Sequence, residues 1–129
     1  MIDWLRLFGR RQPVPLTGAP PVRRTKTYSA QSGYVYQYVF AGRHEAEYVF
    51  EVTADRKTHF PAVVLIEDAV LDQWQRDRSR ELTLVERYAV AKIALAQAFD
   101  ERAGPDQMRA PIRVRRADLD LIAETLGLL

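Results

Sequence analysis

The sequence contains no cysteine, and that absence excludes disulfide staples, thiolate metal ligands and cysteine nucleophiles outright. It leaves the compartment open, with a cytoplasmic location as the expectation. Long apolar runs are also missing. The longest candidate, Ala62 to Ile66, is cut off by Glu67 and Asp68, far short of the roughly 18 residues a bilayer span needs. Residues Met1 to Gly9 place Asp3 ahead of a short apolar stretch that Arg6 interrupts, unlike the basic n-region and apolar h-region of a signal peptide. Glycine is scarce, six in all and scattered. No phosphate-cradling loop, dinucleotide fingerprint, nucleophile elbow or H-E-x-x-H helix can be written from these residues, so no cofactor is expected. There are only two histidines. His44 with Glu45 and Glu47 is the one grouping that resembles a divalent metal site, and an exposed solubilising turn explains the same residues. No metal is expected.

What is present is enough to fold. With 129 residues, 47% of them hydrophobic and 28% charged, the chain has the usage of a single globular domain. Charge is segregated along it. Residues 1–27 hold six cations against Asp3, a net +5, and the rest must carry −3 to give the overall +2. Such a distribution reads as a basic arm on a mildly acidic body. Ile2, Leu5 and Phe8 follow helical spacing beside Trp4, too short a segment to be helical unless docked. Gln12 to Val22 then holds Pro13, Pro15, Pro20 and Pro21, where fixed φ and missing amide donors forbid a helix or a sheet interior. Residues 1–24 are therefore expected to be a tail and linker, and residues 25–129 one domain.

From Thr25 the pattern becomes β. Tyr34, Tyr36, Tyr38 and Phe40 alternate with Val35, Gln37 and Val39, and after a turn at Gly42 to Glu45 the alternation resumes with Tyr48, Phe50 and Val52. Aligning these even-numbered aromatics on one face requires a hairpin loop of three or five residues, since a two-residue turn would put them on opposite faces. Thr58 to Ile66 supplies a third strand, in which Pro61 favours an edge or a bulge. Thr27 to Gln31 is either a strand of its own or an extension of the one that follows. Glu67 and Asp68 introduce a short helix with Val70, Leu71 and Trp74 on one face.

Thr83-Leu84-Val85-Glu86 fits a capping box, and Leu84, Tyr88, Ala91, Leu95 and Phe99 continue at helical spacing towards a stop at Gly104-Pro105. Alanines at Ala89, Ala91, Ala94, Ala96 and Ala98 thin two faces of this helix, which suggests close neighbours on both sides. Ile112 to Arg115 can form a short fourth strand, and Leu119, Ile122, Ala123 and Leu126 a last helix ending near Gly127. The expected fold class is α+β: a three- or four-stranded antiparallel β-meander packed against a long central helix, residues 84–103, and two shorter helices, with a flexible N-terminal tail.

Function is less legible. The carboxylate pairs Glu67-Asp68 and Asp100-Glu101 are adjacent in sequence, so on a helix they diverge and make no proton-sharing dyad. The aromatic stripe from Tyr34 to Phe40 has two readings, a base-stacking platform or part of the core, and the acids that follow it favour the core. Trp4, Leu5, Phe8, Arg10 and Arg11 are residue types that dominate interface hot spots, and they form the candidate partner-binding set. The reading is a small, non-enzymatic protein-interaction module that binds a protein partner or itself. The alternative is a nucleic-acid binder using the basic arm and the aromatic face, and weak contact with a membrane surface is a further option for the arm.

Overall fold

The computed structural model describes residues 16–20 and 23–128. Five strands, β1 (Lys26–Ser29), β2 (Val35–His44), β3 (Glu47–Thr53), β4 (His59–Leu65) and β5 (Ile112–Arg113), lie side by side in that order. The first four pair antiparallel, and β5 joins β4 in parallel through Val64 opposite Ile112 and Leu65 opposite Arg113. The sheet is curled, a half-barrel. Three helices accompany it: α1 (Asp68–Arg78), α2 (Leu84–Glu101) and α3 (Arg116–Thr125).

The period-2 pattern decides which face meets the helices. Tyr36, Tyr48, Phe50, Val52, Phe60, Ala62 and Val64 are buried in one cluster with Leu71 and Trp74 of α1, Val90, Leu95 and Phe99 of α2, and Leu119 and Ile122 of α3. Phe99 sits at its centre, stacked on Tyr36 with ring centroids 4.3 Å apart and on Tyr28 at 5.6 Å.

The fold departs from the sequence pattern in three ways. The sheet is mixed and five-stranded, where an antiparallel sheet of three or four strands was expected. Strand β5 is only two residues long, too short to show alternation, and its partner lies 48 residues back along the chain, so only tertiary packing assigns its direction. Secondly, the helical layer is three short helices and not a long central helix over 84–103. Core residues come from all three. Helix α2 stops at Glu101, ahead of Gly104-Pro105, and the Arg102 side chain donates to the carbonyls of Gln107, Ala110 and Pro111 at 2.6–3.0 Å. Those contacts tie down the loop after the helix, and Gly104 is not among the residues with left-handed φ.

Thirdly, the β2–β3 turn has two residues, Glu45 and Ala46, rather than three or five. His44 opposes Glu47 beside the turn, yet Phe40 opposes Phe50 further down, because the register shifts at a bulge between Phe40 and Gly42. One extra residue in β2 reverses the parity, so a two-residue turn still brings the aromatics onto one face.

Candidate functional site: an apolar groove at the start of α2

The capping box predicted at Thr83 forms. Its hydroxyl accepts from the Glu86 amide at 3.1 Å, and the Glu86 carboxylate accepts from the Thr83 amide at 2.9 Å. That backbone bond, with help from Arg80, holds the Glu86 carboxyl below its ordinary range. The cap fixes the direction of the first turn, and the two residues behind it, Leu84 and Val85, project into solvent with 62% and 77% of their surface exposed. Tyr88, one turn on, points to the sheet and packs on Phe40 at 4.8 Å between ring centroids.

Facing this turn is the segment 16–20. The Thr17 amide donates to the Arg43 carbonyl at 2.8 Å, and the Arg43 amide donates to Thr17 at 2.6 Å. This antiparallel bridge lies beside the bulge, where Gly42 has φ +138° and a Cβ would come within 2.7 Å of the Leu16 Cβ. Glycine is what lets the two backbones approach so closely.

Between the two walls is a groove of about 330 Å³ lined by Leu84, Val85 and Tyr88 on one side, Gly18 and Pro20 on the other, with Phe40, Tyr48 and Arg43. The lining is mostly apolar. Burial, and then the neighbouring Tyr38, push the Tyr88 phenol up from its usual range, so it stays protonated at neutral pH. Such a surface can desolvate an apolar group and present one guanidinium beside it.

A second, polar cluster lies on the other face of the sheet. Each oxygen of Glu51 has its own partner: Arg23 at 3.0 Å and His59 Nδ1 at 3.1 Å. Thr25, Gln37 and Thr53 border a shallow depression there. Glu51 opposes Pro61 in the register, which makes His59 its diagonal neighbour. This pairing was not foreseen from the sequence. The outward position of Glu51 in an alternating strand was the available signal, but the β3–β4 register was needed to bring His59 to it.

The candidate partner-binding residues Trp4, Leu5, Phe8, Arg10 and Arg11 lie outside the described residues. The expected boundary at 24/25 is crossed by the Thr17 bridge and by the Arg23–Glu51 ion pair. The aromatic stripe belongs mostly to the core: Tyr36 is fully buried, Tyr38 and Phe40 pack against the cluster, and Tyr34 is 44% exposed. It offers no open stacking face. His44 approaches Glu45 at 3.8 Å, and no group of three potential metal-ligating side chains converges among the described residues. Asp100, electrostatically misplaced near the end of α2, accepts from the Tyr28 hydroxyl at 2.5 Å and the Gln31 amide at 3.0 Å, fastening β1 and the turn after it to the helix. No helix among the described residues is long and apolar enough to cross a membrane. Compared with protein-family models, curated proteins and solved structures, the chain matches none.

Proposed function

We propose that this chain is a small, non-enzymatic, cytoplasmic protein-interaction module that docks an apolar segment of a protein partner, or of a second copy, in the groove at the start of α2. The observation that carries this reading is the pair Leu84 and Val85, exposed at a capped helix start and continuous with Phe40, Tyr48 and Tyr88. Two large aliphatic side chains in that position add nothing to the core cluster, whereas a partner would bury them against aromatic walls, the arrangement of an interface anchor site.

The test is sedimentation velocity of the full chain over a range of concentrations, together with affinity capture, each repeated with the double substitution Leu84→Asp, Val85→Asp. Concentration-dependent association, or capture of a partner that then binds as a purified protein, is expected for the natural chain and is lost in the variant. A chain that stays monomeric and whose captured proteins are the same with both versions contradicts the reading.

A further inference from the structure

The dimensions and chemistry of the groove narrow the kind of segment it takes. A helical ligand is about 10–12 Å across and anchors through several side chains spread over two turns. The groove, at about 330 Å³, is at the small end of ligand cavities, which run from roughly 300 to 1,000 Å³. It has room for one or two side chains of an extended segment.

The walls place a second constraint. An extended peptide brings its backbone N–H groups with its side chains, and each one buried against an apolar wall without an acceptor costs free energy. Proline has no N–H, and its φ is already set for an extended chain, so it is the residue that such walls desolvate at least cost. The chain already places a proline at this groove, because Pro20 is among its lining residues with Phe40, Tyr48 and Tyr88. Beside them is Arg43, whose guanidinium has no carboxylate partner among the described residues, while its backbone is held by Thr17.

We propose that the groove recognises an extended, proline-containing segment of a partner protein carrying an acidic residue next to the proline, with the ring seated between Tyr88 and Pro20 and the acid paired with Arg43. This rests on the interaction-module reading and adds the identity of the ligand.

The experiment titrates the full chain into three dye-labelled synthetic peptides of equal length at near-physiological salt and follows fluorescence anisotropy. One alternates proline with leucine and carries an aspartate, the second replaces every proline with alanine, and the third is an amphipathic helix former. The proline peptide is expected to bind saturably, to weaken about tenfold or more when alanine replaces proline, and to weaken comparably with Val85→Asp. Arg43→Glu should abolish binding of the aspartate peptide and restore it when lysine replaces the aspartate, a charge reversal that does not depend on Val85. Equal binding of the proline and alanine peptides overturns the proposal. Binding of the helix former alone, sensitive to Val85→Asp, overturns it while leaving the interaction-module reading in place. If no peptide binds and the chain also fails the association and capture tests, both fall.

Discussion

Two residues show how much a single position decides in this chain. Gly42 combines φ +138° with a setting in which any Cβ would collide with Leu16 and the Thr17 carbonyl, so Gly42→Ala is expected to cost more than about 1 kcal/mol in urea unfolding, through both backbone strain and displacement of segment 16–20. A cost near zero would mean that the bridge to Thr17 is dispensable. In the sequence Gly42 reads as part of a turn, because a glycine beside Arg43 and His44 carries no mark that separates a bulge from a bend. The second residue is Asp55. Its carboxylate accepts from the Thr58 amide at 2.7 Å and the Lys57 amide at 2.8 Å, and these bonds lower its pKa from 3.8 to about 2. A depressed carboxyl contributes stability that is fully present above its unfolded value near 4 and is lost as pH falls through about 2. Asp55→Asn should therefore be less stable than the natural chain at neutral pH, with the gap closing between about pH 4 and pH 2. Parallel pH profiles over that whole window would rule out this account of the turn.

At the scale of elements, the helices were readable where local chemistry defines them. The capping box at Thr83 is written in four consecutive residues, and Thr83→Ala is expected to cost about 1 kcal/mol in thermal or urea unfolding. Leu95 is buried in α2 among core side chains, so Leu95→Ala should cost more, roughly 2–5 kcal/mol. If the two effects were reversed, the facing of α2 would be wrong. The end of the same helix was not readable. Gly104-Pro105 is a good stop signal, but the backbone already turns extended at Arg102 (φ −86°, ψ 148°), whose guanidinium then ties down three carbonyls of the following loop. An arginine near a helix end is ordinary, and nothing local says which carbonyls will gather around it. Because lysine cannot reproduce a planar fork, Arg102→Lys should lower stability by about 1–3 kcal/mol, measurable in urea unfolding, and a neutral result would show that the loop holds itself.

For the molecule as a whole, folding stability and the proposed recognition are expected to separate. Val85 is 77% exposed, so Val85→Asp should change stability by no more than about 0.5 kcal/mol in thermal melts while weakening ligand docking. A large loss of stability would mean that the groove wall is structural. The sequence by itself determined the absence of thiol chemistry, the alternating strands and the capped start of α2. Each of these is set by residue type or by a local period of 2 or 3.6. Tertiary structure alone decided the parallel β5, because pairing direction depends on how the intervening helices return the chain and two residues carry no period. It also decided that a bulge would restore register across a two-residue turn. The groove belongs to the same class: Pro20, Phe40, Tyr48 and Val85 share a surface because the Thr17 bridge, the β2–β3 register and the Thr83 cap converge there. Convergence of that kind is a property of packed elements, and no spacing along the chain encodes it.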